Sequence, residues 1–136
     1  MIHDLDESLR ALIRMRMQAD TAIEVVFDAP TRDWASRRNA PTVDLYLYDI
    51  REDTSRRQTG RSEQRADQGG HVVGWTTPPR WFRLSYLVTA WTQRPEDEHR
   101  LLSMLLACFL AQDGLPEEVL AGALAGFLVH NRPPAK

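Results

Sequence analysis

A chain of 136 residues has room for one domain of ordinary size. Its 43% hydrophobic and 26% charged residues are those of a globular protein rather than a disordered one. Nineteen acids against seventeen bases leave a formal charge of −2, without the basic excess of a general nucleic-acid binder, and a single cysteine, Cys108, excludes an internal disulfide and a multi-thiolate zinc site. Sixteen of the seventeen cations are Arg, a side chain that makes fixed, bidentate and stacked contacts better than Lys does. The N-terminus opens on Asp4, Asp6 and Glu7 rather than on the basic-then-apolar run of a signal peptide. The longest apolar stretch, Leu101 to Ala111, falls well short of the ~20 residues that span a bilayer. The expectation is a single-domain cytoplasmic protein that engages neither membrane nor nucleic acid.

In chain order, the first segment reads as a helix. Asp4 with Glu7 three residues on resembles a capping box, and Leu5, Leu9, Leu12 and Ile13 then share one face. Ile23, Val25 and Phe27 alternate with polar positions and predict a short strand. Ala29-Pro30-Thr31 and Asn39-Ala40-Pro41 bracket a segment with space for one helical turn around Trp34.

Thr42 to Ile50 predicts a strand with Val43, Leu45 and Leu47 on one side and Asp44, Tyr46 and Tyr48 on the other. From Arg51 to Gly70 follow five Arg, four acids and no aliphatic residue except Ala66, so the charge is mixed. Twenty residues of plain loop are unusual inside a domain. Residues 51–71 are therefore read as an extended hairpin arm turning near Gly69-Gly70, with His71 to Trp75 returning, or as a mobile loop.

Trp81 to Trp91 is the longest strand candidate, with Phe82, Leu84, Tyr86, Val88 and Ala90 on one face. Pro95 followed by Glu96, Asp97 and Glu98 opens a helix, since Pro suits the first turn and acids suit the positive end of the dipole. Its wide stripe of Leu101, Leu102, Leu105, Leu106, Phe109 and Leu110 predicts deep packing, and Asp113-Gly114 ends it. Pro116-Glu117-Glu118 starts a short final helix carrying Val119, Leu120, Ala123 and Leu124, and residues 131–136 form a frayed, Pro-rich tail. The order makes residues 1–130 one α+β domain: a mostly antiparallel sheet with an inserted hairpin arm, flanked by helices.

Sites for chemistry are sparse. The four histidines are scattered, and the one Glu96/His99 pair at i,i+3 has no second pair to complete a di-metal site. Cys108 sits in an apolar stripe and reads as a structural thiol. No Gly-rich phosphate loop and no nucleophile elbow occurs, so no catalytic residue, cofactor or metal is assigned. What remains is surface. Arg32, Arg37 and Arg38 surround Trp34; Arg56, Arg57, Arg61 and Arg65 punctuate the arm; Trp75 and Arg80 flank its end. Arg and Trp are over-represented at the energetic centres of interfaces, so these ten are the candidate protein-contact residues. On composition alone a small non-enzymatic adaptor or regulatory protein-binding module is a second reading.

Several segments carry a resemblance. Met1-Ile2-His3-Asp4-Leu5-Asp6-Glu7-Ser8-Leu9-Arg10, Phe27-Asp28-Ala29-Pro30-Thr31-Arg32-Asp33-Trp34-Ala35 and Pro41-Thr42-Val43-Asp44-Leu45-Tyr46-Leu47-Tyr48-Asp49-Ile50-Arg51-Glu52 are three of them. Arg83-Leu84-Ser85-Tyr86-Leu87-Val88-Thr89-Ala90-Trp91 and Glu98-His99-Arg100-Leu101-Leu102 follow in the same order. Together they are similar to the N-terminal domain of the cap, or tail-terminator, proteins of extracellular contractile injection systems of the Photorhabdus virulence cassette and antifeeding prophage type. The resemblance implies a fold like that of phage tail terminators. It also implies a structural, non-enzymatic subunit whose homohexameric ring closes the inner tube and sheath at the end distal to the baseplate. Its partners would then be itself, the tube protein and the sheath protein, in a particle assembled in the cytoplasm.

Overall fold

Helix α1 runs from Ile2 to Met17, three residues ahead of the start expected with Asp4 as its cap, because the Leu5 amide already bonds the Met1 carbonyl at 3.0 Å. Asp4 therefore lies inside the first turn instead of capping it. The buried face holds Leu12, Ile13 and Met17, and also Ser8. The computed structural model describes residues 1–17, 23–57, 60, 62–65 and 72–125; for 62–65, 72, 73 and 76 the backbone alone is described. The tail 131–136 and the turn at Gly69-Gly70 lie outside the described residues. The chain divides into two compact units, one of Met1–Tyr46 with Val88–Lys136 and one of Leu47–Leu87.

In the first unit, β1 (Glu24–Val26) lies parallel to the start of β2 (Thr42–Glu52), with Glu24 beside Thr42, Val25 beside Val43 and Val26 beside Asp44. Parallel neighbours need a crossover of a dozen or more residues, and the intervening 27–41 carries α2 (Arg32–Ser36), the turn expected around Trp34. Sheet order is β1-β2-β5, where β5 is Phe82–Trp91, so β2 is the central strand. The alternation is not simple: Val43 and Leu45 are buried, but so are Thr42 and Asp44 on the other face, where residues of the 27–41 crossover, Ala40 beside Thr42 and Asp28 and Arg38 beside Asp44, lie against them.

Helix α3 spans Pro95–Leu110. Pro95 and the three acids open it as expected, and Glu98 reaches back to accept from the Thr92 amide at 3.2 Å. The six-residue stripe, however, is buried only along Leu101 and Leu105, with Cys108 joining them. Leu102, Leu106 and Leu110 are exposed. Period 3.6 identifies an apolar arc but not how much of it one chain covers, and here α3 lays a narrow edge on α1. Leu12, Cys108 and Val119 form the contact, with Ala11, Met15, Phe109 and Leu115 around them. Burial pushes the Cys108 thiol up, so it is a packed, inert thiol.

Beyond α3 the expected final helix is a 3-10 turn, Glu117–Val119; Leu120 is extended (ψ 122°), and helical backbone resumes at 123–125. The reason is tethering. Ser8 donates to the Asp4 carbonyl at 2.7 Å and accepts from the Ala121 amide at 2.9 Å, which joins α1 to a segment 113 residues away. The next residue, Gly122, has φ +53°, and a Cβ there would stand 2.2 Å from Asp4 Oδ1. Glycine alone fits.

In the second unit, β3 (Ser62–Arg65) and β4 (Val72–Thr76) pair antiparallel, Ser62 with Thr76 and Glu63 with Trp75, with a register shift between Gln64 and Arg65. The Asp53 amide, just past β2, bonds the Trp81 carbonyl, just before β5, at 2.7 Å, so these strands are antiparallel too. The protein is α+β, with the β1–β2 pair as the parallel exception to an otherwise antiparallel arrangement.

Candidate assembly surfaces

The Trp34 group of the first unit is built by the break between β1 and β2. Thr31 caps α2 by accepting from the Trp34 amide at 3.2 Å, which fixes the indole. Trp34 Nε1 then donates to Asp28 Oδ2 at 2.8 Å, and its ring meets Trp91 edge to face at 5.5 Å. The Arg38 guanidinium covers the other side at 4.6 Å and pairs with Glu24 at 3.3 Å. Trp34 and Arg38 are thus half-buried members of a fixed cluster, whereas Arg32 and Arg37 are exposed beside it.

Behind this cluster lies Asp44, fully buried, with neither carboxylate oxygen closing a hydrogen bond among the described residues. Burial pushes its pKa up to about 6; the Asp28 backbone amide, near the carboxylate but outside ordinary hydrogen-bond geometry, and Arg38 offset part of the rise, and the Asp28 charge adds to it. Arg38 Nε is likewise buried without an acceptor. Asp28 and Arg38, which both contact Trp34, are thus also the groups that act on Asp44.

The second unit has its own hub. Asp53 caps the 3-10 turn Thr54–Arg56, accepting from the Ser55 hydroxyl and from the Ser55 amide at 3.2 Å. Those bonds, helped by Arg83 and Arg56 at 3.7 Å each, hold its carboxyl below the usual range. Arg56 also stacks on Trp81 at 5.4 Å, and Arg57 pairs with Glu52 at 3.2 Å. Trp75 and Arg80 are exposed. Arg65 lies on β3 with its side chain outside the description, and Arg61 lies outside the described residues.

The ten sequence candidates thus fall into two groups on two units, and Arg38, Arg56 and Arg57 are engaged by acids of their own chain. The sequence reading missed the exposed leucines of α3 and the exposed Tyr48, Ile50 and Phe82. For the leucines the signal was present as apolar periodicity, read there as deep packing. Among the described residues no group of three or more His, Cys, Asp or Glu converges as a metal site, and no helix is long and apolar enough to cross a membrane.

Residues 4–133 match the Pvc16 N-terminal domain, and the chain belongs to that family. No curated protein matches it. Among solved structures it is similar in fold to the sheath/tube terminator of an extracellular contractile injection system, PVC, in the extended state. The TM-score is 0.62 and the identity 23%, over 98% of this chain and 52% of that one. The chain thus spans about half the length of that terminator.

Proposed function

We propose that this protein is a structural cap subunit that terminates the tube and sheath of a contractile, phage-tail-like injection particle at the end distal to the baseplate. The supporting observation is the family match across residues 4–133, with a fold like a sheath/tube terminator over nearly the whole chain. A terminator works by geometry rather than by a chemical step. Each subunit buries one side against a neighbour and one face against the last ring of the tail, so a closed homohexamer ends a filament that otherwise keeps growing. Its partners in this reading are six copies of itself, the inner tube protein and the sheath protein. Arg32, Arg37, Trp75 and Arg80 offer side chains to them, and the arm at 51–71 reaches a neighbour.

The test is deletion in the producing cell followed by electron microscopy. Tails of irregular length, or sheaths that contract or detach early, are expected. Length-uniform, stably extended particles without the subunit would overturn the reading.

A further inference from the structure

Two buried groups of opposite charge stand unmatched within electrostatic reach of one another. Asp44 is 0% exposed, yet neither of its oxygens closes a hydrogen bond among the described residues, and Arg38 Nε is buried without an acceptor. Arg38 turns a terminal nitrogen outward to Glu24 at 3.3 Å and lays its planar face on Trp34 at 4.6 Å. An ionised carboxylate so placed is costly, and the folded state is under pressure to let water reach it.

The groups that act on Asp44 belong to the crossover 27–41: Asp28 at its start and Arg38 near its end. The crossover is held lightly. Its helix α2 buries no residue, Trp34 meets Trp91 edge to face at 5.5 Å, and the Arg38 ion pair is with an exposed Glu24, a kind of pair that contributes little. The Ala40 carbonyl adds one bond from the Thr42 hydroxyl at 3.0 Å. The charges on the packed elements are accounted for. Glu24 is the charge of β1 and pairs with Arg38; Arg10 of α1 bonds the Val25 carbonyl at 3.3 Å and lies over Phe27; the one charge of β5, Arg83, stands 3.7 Å from Asp53. The crossover contains no histidine.

We infer that residues 27–41 form a proton-gated strap, seated against β2 while Asp44 is protonated and lifting locally when Asp44 ionises, with α1, α3 and the sheet still folded. The burial cost is relieved by opening the few contacts listed above instead of the whole core. Arg32 and Arg37 ride on the strap, so the same proton governs how they are presented. The strap needs no partner, and it works whether or not the chain caps a tail. The seated carboxyl titrates at about 6 and the hydrated one at an ordinary 3.8. Seating is therefore strongest below pH 4, weakens as pH rises to 6 and levels off above it. The opening equilibrium should rise about tenfold from pH 5 to pH 8 and about sixtyfold from pH 4 to pH 8.

The test is native-state hydrogen exchange on the full chain at pH 5, 6, 7 and 8, corrected for the intrinsic rate at each pH, with a series in low urea. The Ala35, Arg37 and Arg38 amides, bonded to the Thr31, Trp34 and Ala35 carbonyls, report lifting, because a five-residue helix does not persist unpacked. Leu12 and Leu105, in the cores of α1 and α3, report whole-domain opening. The strap amides should open about tenfold more at pH 8 than at pH 5, almost independently of urea, while Leu12 and Leu105 exchange more slowly and with a steep urea dependence.

In Asp44→Asn the strap should open to the same extent at every pH. Asp28→Asn, which keeps an acceptor for Trp34 Nε1, should retain a rise with pH, and it assigns the proton even if Asp44→Asn fails to fold. An opening in the unmodified chain that is flat or falls with pH means that Arg38 holds the charge, and overturns the inference. So does a rise that survives in Asp44→Asn or vanishes in Asp28→Asn, since the proton then sits elsewhere. Strap amides with the rate and urea dependence of Leu12 and Leu105 overturn it too, because the crossover then opens only with the whole domain.

Discussion

Replacing Asp44 by Asn tests the buried carboxylate directly. The side chain keeps its size and loses its charge. With a folded pKa of about 6 against an ordinary 3.8, the carboxyl binds its proton more tightly in the folded state. Stability therefore rises as pH falls from 7 toward 4, because protonation relieves the burial of an unpaired charge, and the cost is fully present above about pH 6. At about 1.4 kcal/mol per unit, two units correspond to a penalty of about 3 kcal/mol at pH 7, about 1.5 at pH 5 and about 0.5 at pH 4. Asp44→Asn should then be more stable than the parent by about 1–3 kcal/mol at pH 7, the lower figure allowing for an amide as poorly bonded as the acid it replaces. The advantage should fade toward pH 4. Urea denaturation followed by tryptophan fluorescence at pH 5, 6, 7 and 8 reads both effects. A variant destabilised equally at every pH would mean that Arg38 neutralises the carboxylate, and the reasoning from burial would be wrong.

Other expectations follow from packing and backbone geometry. Gly122→Ala places a side chain at φ +53° and against Asp4, and should cost about 2 kcal/mol or more in thermal denaturation. Leu105→Asp buries an unpaired charge at a side chain 1% exposed, at a cost of several kcal/mol, and should leave the protein insoluble or uncooperative in melting. Below pH 4 stability should fall instead of rising further, because the Asp53 carboxyl, held low by Ser55, Arg83 and Arg56, loses those contacts on protonation; an acid titration followed by circular dichroism shows the reversal. Replacing Glu52 to Gln68 by a short Gly-Ser turn should leave the first unit folded and weaken assembly, as read by melting and by particle incorporation.

The elements themselves were legible because their signals are local. Thr31 before Trp34, Pro95 before three acids and the alternation of Val43 and Leu45 each act within one turn or one strand. What was not legible depends on neighbours remote in sequence. The alternation put Asp44 on the side opposite Val43, but nothing local says that residues of 27–41 cover that side. The bond between Ser8 and the Ala121 amide spans 113 positions, and no local pattern announces it. Leu106 and Leu110 read as core because apolarity marks what must be covered, not which chain covers it. The candidate Arg residues were found by type, but sequence had no way to separate Arg38, which is stacked on Trp34, from the exposed Arg37 three residues from that indole. The order of elements supplied the α+β class, and the ordered resemblance added the likeness to tail terminators.

The edge-to-face pair of Trp34 and Trp91 has a spectroscopic consequence. Two indoles with centroids 5.5 Å apart and planes at 77° are coupled chromophores whose transitions mix and split. The split signal in far-ultraviolet circular dichroism depends on that separation and angle, so it reports whether α2 is seated against the end of β5. Trp75 and Trp81, without such a partner among the described rings, contribute mainly to fluorescence. The molecule thus carries two separable optical channels: a dichroic one that follows the Trp34–Trp91 pair, and an emissive one weighted toward the exposed tryptophans of the second unit. Docking of a neighbour on that unit should move the emission and leave the dichroic couplet in place.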